Sequence, residues 1–429
     1  VTAATPAAAE AKADSKLYRG YVLFILVVVY TFNFIDRQII GILAVPIQAE
    51  LGLSDRQLGL MGGIAFALFY STLGVPIALL ADRVNRTWIM TIALAAWSLM
   101  TAACGMVNNF WQLFAARLGV GVGEAGGVAP AYSLVADFFP PNQRARALAI
   151  YSFGIPIGSA VGIVFGGFVA SWIDWRAAFI IVGVAGLVLA PIFKLTVREP
   201  ERGRFDPPRQ TTERAKLGEV FAVLMKKPSF FLLTLGASCS SMMGYGIFFW
   251  LPSFFVRSFQ VDILEASLLF GGILLVGGII GVWAGGALGD KLGEKNRAAY
   301  ALVPAVAFLF TVPFYALGVL SSTPVVAILL FSVPVALGLM WLGPVLSAFQ
   351  HLVRPDMRAT ASALFLLINN LLGIGGGVYI LGEFSERLRP YFGDESLRYS
   401  ILAGSGFYLM AAILFFFAAR RLAKDWEGG

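Results

Sequence analysis

Apolar residues in this chain run in blocks of about 20 or more, broken by short charged or Gly/Pro-containing turns. A block of that length crosses a hydrocarbon core roughly 30 Å thick as an α-helix. The pattern predicts twelve such spans, near 18–44, 56–81, 87–107, 110–136, 146–171, 176–195, 229–256, 264–289, 297–319, 324–350, 359–382 and 399–420. Strands of a membrane barrel would instead alternate apolar and polar positions over about ten residues. Helices satisfy their own backbone in lipid, so the predicted fold class is an all-α membrane protein with twelve transmembrane helices. The one long polar stretch, Lys194 to Lys227, holds nine Lys/Arg, five Asp/Glu and Pro207-Pro208. It suggests a tail at 1–17, a six-helix bundle at 18–195, a linker at 196–228, a second six-helix bundle at 229–420 and a tail at 421–429.

Composition agrees: of 429 residues 58% are apolar and 13% charged, whereas a soluble domain carries about a quarter charged. A net charge of +7 would fit nucleic acid, but the cations sit where a membrane protein needs them. If both termini share one side, that side receives 24 of the 32 Lys/Arg and the other receives Arg56, Arg176, Arg257, Arg387, Arg389 and Arg398. By the positive-inside rule the termini and the linker are cytoplasmic, placing the chain as a multi-pass protein of the cell (inner) membrane. No nucleic-acid partner is expected. Cys104 and Cys239 lie inside apolar blocks and imply no disulfide framework. The Ala-rich first 20 residues lack the apolar core of a signal peptide.

Two internal matches support six plus six. Ala78-Leu79-Leu80-Ala81-Asp82-Arg83-Val84-Asn85-Arg86 ends span two, and Gly286-Ala287-Leu288-Gly289-Asp290-Lys291-Leu292-Gly293-Glu294-Lys295 ends span eight. Pro141-Asn142-Gln143-Arg144-Ala145 and Pro355-Asp356-Met357-Arg358-Ala359 form a second pair at nearly the same offset. Duplicated parallel halves with a site between them are a transporter architecture. These turns resemble the best-known motif of the major facilitator superfamily, with Ala78, Asn85 and Thr87 departing from it in the first copy. Pairing of Asp82, Arg83, Arg144, Asp290 and Arg358 between the halves is the expected cytoplasmic gate.

Two cations remain, Arg37 in span one and Arg117 in span four, and only Asp36 and Glu124 lie comparably deep among the acids. Each such charge costs about 2.5–3.5 kcal/mol at a helix centre, so all four must face one another or a wet cavity. Arg117 and Glu124, seven residues apart, share one face of a helix at a separation of about two turns. Asn33 adds a polar group beside Asp36 and Arg37. The expectation is that Arg37, Arg117 and Asn33 take an anionic headgroup while Asp36 and Glu124 carry protons; a fixed salt-bridge network between spans one and four is the structural alternative. Gly121-Val122-Gly123-Glu124-Ala125-Gly126 matches a dinucleotide fingerprint in form, but no βαβ unit surrounds it. Gly119, Gly123 and Gly127 recur every four residues and admit a close helix neighbour instead.

Spans seven and ten carry no comparable charge. Ser238, Ser240, Ser241, Tyr245, Phe248, Phe249, Trp250, Trp341 and Gln350 offer hydroxyls, amides and rings, and Tyr30, Ser238, Ser241, Tyr245, Phe249, Trp341 and Asn370 are the expected cavity residues. One charged half and one greasy half suit an amphiphile with an anionic head. The chain contains no metal-ligand cluster, nucleophile–base set or phosphate-loop lysine motif, so no enzyme activity, cofactor or metal is expected, and transport would draw on a gradient.

Three strings resemble the spinster branch of the superfamily: Asn33-Phe34-Ile35-Asp36-Arg37, Arg117-Leu118-Gly119-Val120-Gly121-Val122-Gly123-Glu124-Ala125, and Ile155-Pro156-Ile157-Gly158-Ser159, followed by Val197-Arg198-Glu199-Pro200. The resemblance implies alternating-access export or exchange of a lysophospholipid or a sphingosine-1-phosphate-like lipid, linked to protons, with Asp36, Arg37, Arg117 and Glu124 in the headgroup and coupling roles. It also suggests a bacterial homologue. Expected partners are the lipid or amphipathic organic anion, protons and membrane lipids, with the chain a monomer. The competing readings are a proton-linked symporter of small carboxylates or sugar acids and a non-transporting sensor or scaffold.

Overall fold

The computed structural model describes residues 15–81, 83–205, 217–293, 296–354 and 357–426. Every regular element among them is helical. Helix one is Lys16–Ile42, capped by the Ser15 side chain, and the short Ala44–Leu51 leads to helix two, Asp55–Ala81. Ser54 and Gln57 form a reciprocal capping box at its start, satisfying two amide donors that a helix end leaves open. Helix three is Arg86–Cys104 behind an Asn85 cap, helix five runs over 141–172, and helix six is Trp175–Thr196 behind Asp174. A linker helix, Leu217–Met225, precedes helix seven, Pro228–Phe259. Helices eight and nine are Ile263–Gly293 and Ala299–Leu320, and helices ten, eleven and twelve run over 324–350, 358–392 and 396–425.

Helix four departs from an uninterrupted span. It comprises Phe110–Glu124 and Val128–Phe138, parted by a turn at Ala125, Gly126 and Gly127. The break follows Glu124 directly, and two successive glycines lower the local helix propensity by about 1 kcal/mol each. Upstream, the glycines serve close approach as expected: a Cβ on Gly123 would lie 2.6 Å from the backbone nitrogen of Trp97 on helix three.

Three pairings carry most of the backbone contact between the first six helices and the last six: one with seven, two with eleven, and five with eight. Helix five meets helix eight along Gly154–Trp172, its end remote from the linker. On that same far face, helices two and eleven pack backbone to backbone. A Cβ on Gly59 would lie 2.9 Å from the Val378 carbonyl, and one on Gly63 would lie 2.8 Å from the Gly375 carbonyl. Both helices wind wider at this contact, through π-helical turns at Leu60–Ile64 and Leu371–Gly376 that touch each other. Such single-turn bulges concentrate at functional sites.

The linker face carries a polar knot within the first six helices. Arg86, the second basic residue of the first repeat motif, is fully buried and donates to Glu199 (2.6 Å), the Ser133 hydroxyl (2.7 Å), the Pro200 carbonyl (3.1 Å) and Asp137. Asp137 accepts in turn from the Gly203 amide at 2.9 Å. Sequence alone placed Arg86 among the solvated topology cations; the fold uses it to tie the start of the linker to helices three and four.

Candidate functional site

All four deep charges converge between helices one and four, with Asp36, Arg117 and Glu124 at most 1% exposed. Arg37 Nε donates to Glu124 Oε2 at 2.7 Å, joining residues 87 apart in sequence. Arg117 Nη1 donates to the Asp36 main-chain carbonyl at 3.3 Å. Arg37 also stands over the rings of Tyr70, Phe66 and Phe34 at 4.3, 4.9 and 5.0 Å, and Arg117 lies 5.7 Å from Phe66. A desolvated guanidinium over an aromatic face gains about 2 kcal/mol, which offsets part of the cost of holding a cation at this depth.

The pairing is incomplete. Glu124 Oε1, Asp36 Oδ1, Arg37 Nη2 and Arg117 Nε are buried without a hydrogen-bond partner, as are both amide atoms of Asn33 and the polar atoms of Ser71, Thr101 and Trp97. A buried polar group left unsatisfied costs about 1–3 kcal/mol, more when charged. Folded proteins keep few such groups outside functional sites. Their concentration around one ion pair marks the place where this molecule is prepared to exchange partners.

The last six helices present a different wall. Ser241 Oγ donates to Asn369 Oδ1 on helix eleven at 3.0 Å, while the hydroxyls of Thr234, Ser238 and Ser240 are buried and unpartnered. Tyr245 is half-buried and packs against the core of the first six helices. Trp341 is buried beside Phe365 with ring centroids 6.2 Å apart, and Asn370 is half-buried next to Asn369. Phe249 is buried in the seam between the two sets of helices, its ring against Gly62 and its backbone against Gly41. Tyr30 is buried on helix one and stacks on Tyr151 of helix five at 4.4 Å.

Of the expected gate residues, Asp82 and the Asp290 side chain lie outside the described residues. Arg83 is exposed, Arg144 Nε donates to the carbonyls of Ala136 (2.9 Å) and Phe139 (3.1 Å), and Arg358 is half-buried with its Nε unpartnered. A charge pair that does bridge the two sets of helices lies on the opposite face. Asp55, 1% exposed, receives Arg257 Nη2 at 2.8 Å and Gln48 Nε2 at 2.9 Å on Oδ1, and Arg257 Nη1 at 2.9 Å and Ser385 Oγ at 2.6 Å on Oδ2. Its amide also donates to Glu386 at 3.2 Å. Sequence reasoning counted Arg257 as an outer cation and passed over Asp55, because each stands at a helix end where charge is ordinarily solvated. Phe66, Tyr70, Thr101 and Asn369 were missed as well. The usable signal for Phe66 and Tyr70 was their four-residue spacing on helix two, which puts both rings on one face.

Comparison with known proteins fits this geometry. The model of the Major Facilitator Superfamily matches residues 26–378. An MFS-type efflux pump of Mycolicibacterium smegmatis is 31% identical over 402 residues, covering 94% of this chain and 92% of that one. Protein spinster homolog 1 of Homo sapiens is 30% identical over 440 residues, covering 94% and 82%. A crystal structure described as a bacterial homolog of the human lysosomal transporter Spinster, inward-facing and unoccupied, superposes with a TM-score of 0.88 at 34% identity, covering 97% of this chain and all of that one. The chain thus belongs to the spinster branch of the Major Facilitator Superfamily, a family of membrane transporters and not of enzymes.

Proposed function

We propose that this transporter moves an amphipathic anion, of the lysophospholipid or sphingosine-1-phosphate type, by alternating access coupled to protons. The observation that carries this reading is the half-satisfied cluster of Asp36, Arg37, Arg117 and Glu124, with Tyr245 of helix seven packed against the core that holds Phe34 and Phe66, the rings under Arg37. A proton arriving on Glu124 removes the charge that holds Arg37. The guanidinium is then released to an anionic headgroup, and its unpartnered Nη2 together with Arg117 Nε supplies donors. Asn33, at the same depth, supplies a neutral donor and acceptor. Tyr245, Ser238, Ser241, Trp341 and Asn370 give the tail a wall of low charge. Loss of the headgroup would return Arg37 to Glu124 and expel the proton, so that substrate and proton exchange through one cation.

Access to this cluster would alternate through two closures. On the far face, taken as the outside from the distribution of cations, Asp55 and Arg257 hold helices two and seven together. On the linker face, Asp82, Arg83, Arg144, Asp290 and Arg358 would close the complementary state.

The test is uptake and counterflow in proteoliposomes at imposed pH gradients, comparing a lysophospholipid with a small carboxylate. Lysolipid flux that follows the pH gradient and falls in Arg117→Ala supports the reading. Flux of the small acid alone would replace it with a carboxylate symporter.

A further inference from the structure

At the linker face, where the end of the linker helix meets the start of helix seven and the end of helix twelve, there is a cleft of about 730 Å³. Its polar rim is formed by Lys226, Arg420 and Arg421, and its wall by Phe231, Leu232 and Phe417. We propose that this cleft is a binding site for a phospholipid of the surrounding bilayer with an anionic headgroup.

Charge provides the first argument. Three cations share the rim, and none of them has a carboxylate partner among the described residues. Among the described acids of the adjoining segments, Asp425 Oδ2 accepts from the Ser229 amide at 2.8 Å and Glu219 pairs with Arg354 at 2.9 Å. Arg420 rests on the Phe416 ring, 4.6 Å from its centroid, which steadies the guanidinium without neutralising it. All three side chains are exposed, so their charges add to one attraction for an anion at the membrane surface.

Shape separates a lipid from a soluble anion. The cleft is far larger than a phosphate group needs, and it continues into exposed apolar strips on both helices. Phe231 and Leu235 line one side, and Phe417, Phe416 and Ile413 line the other. These strips run from the cationic rim toward the middle of the membrane spans, the course an acyl chain takes below its headgroup. Basic pockets between membrane helices are a known type of anionic-lipid site, with each Lys or Arg near the surface contributing about 1 kcal/mol. The site lies at the perimeter, remote from the Arg37–Glu124 cluster, and stands whether or not the transported substrate is a lipid.

Native mass spectrometry of the full chain in detergent, titrated with phosphatidylglycerol or with phosphatidylcholine of the same acyl chains, tests the proposal. The wild type should retain phosphatidylglycerol at least about tenfold more tightly. That preference should vanish in the triple variant Lys226→Gln/Arg420→Gln/Arg421→Gln, and should fall in part in Arg421→Gln alone if the triple variant is poorly folded. Equal retention of the two lipids by the wild type, or a preference unchanged in either variant, overturns the site. Displacement of phosphatidylglycerol by millimolar inorganic phosphate would show an anion site with no specificity for lipid, and would overturn it equally.

Discussion

Two of the buried guanidinium–carboxylate pairs, Asp55 with Arg257 and Glu124 with Arg37, are finished to different degrees. Asp55 has both oxygens filled twice, by Arg257, Gln48 and Ser385. Glu124 has one oxygen on Arg37 and the other on nothing, and Arg37 likewise keeps a free nitrogen. The pairs also differ in what they join: the first couples helix two to helix seven across the two sets of six, the second couples helices one and four within one set. A buried pair repays its desolvation only when its remaining lone pairs and protons are satisfied. By that measure the Asp55 pair is a fastening, and the Glu124 pair is held ready to change partners.

The largest effect should come from breaking the satisfied pair. Removing one member of a buried ion pair costs about 3–5 kcal/mol, and in Arg257→Gln that cost should fall on the far-face-closed state alone. Double electron–electron resonance between labels at Arg56 and Tyr391, on helices two and eleven, should show a shift toward longer distances. An unchanged distribution would mean that Asp55–Arg257 does not hold the face shut.

Glu124→Gln should do the reverse, changing coupling more than conformation. The lost charge-assisted bond is worth about 1.5–3 kcal/mol, so flux driven by a pH gradient should fall by about tenfold or more while the distance distribution stays near wild type. Retained pH-driven flux in a folded Glu124→Gln protein, and also in Asp36→Asn, would reduce the cluster to a structural network.

A smaller conformational effect is expected from Gly63→Ala, whose Cβ would press on the Gly375 carbonyl. Overpacking of this kind costs about 1–3 kcal/mol, and the same resonance measurement should show a partial shift in the direction of Arg257→Gln. If Gly63→Ala shifts the distribution more than Arg257→Gln does, backbone packing and not the ion pair is the principal closure.

The smallest effect should come from the exposed pair, Arg176 with Glu50 at 2.8 Å. Hydrogen bonds from Arg176 and the Trp175 ring hold the Glu50 carboxyl below the usual carboxylate range. A depressed carboxyl stabilises the fold above its unfolded pKa of about 4.3 and loses that contribution as pH falls through the folded value. Wild type and Glu50→Gln should therefore differ little in Tm at neutral pH, and that difference should close as the pH is lowered below about 4.

How legible each pair was in the sequence follows from where it sits. Asp36, Arg37, Arg117 and Glu124 stood out because a charge inside a block of about 20 apolar residues is costly enough to demand a reason. That Arg37 would choose Glu124 over Arg117's neighbour Asp36 could not be read, since the choice depends on the angle between two helices far apart in the chain. Asp55 and Arg257 were invisible for the opposite reason: charges at helix ends are expected, and only their burial by Ser385 and Gln48 distinguishes them. The twelve spans were legible from block length, while the turn after Glu124 and the wide turns at Leu60–Ile64 and Leu371–Gly376 show only as local runs of glycine.

Those wide turns have a consequence for chain length. A π-helical turn is an α-helix carrying one supernumerary residue, so removing any single residue from 371–376 would let helix eleven close into a regular ladder. The wide turn absorbs that residue, so everything beyond would keep nearly its present phase, whereas a deletion in the regular turns before it would rotate everything beyond by about 100°. A deletion within 358–370 would swing Val378, whose carbonyl receives the Trp250 ring N–H at 2.9 Å, and Ser385, which reaches Asp55, off their partners. The far-face seam is thus kept in phase by the regular turns, and a one-residue deletion within 371–376 should be better tolerated than one within 358–370 of the same helix.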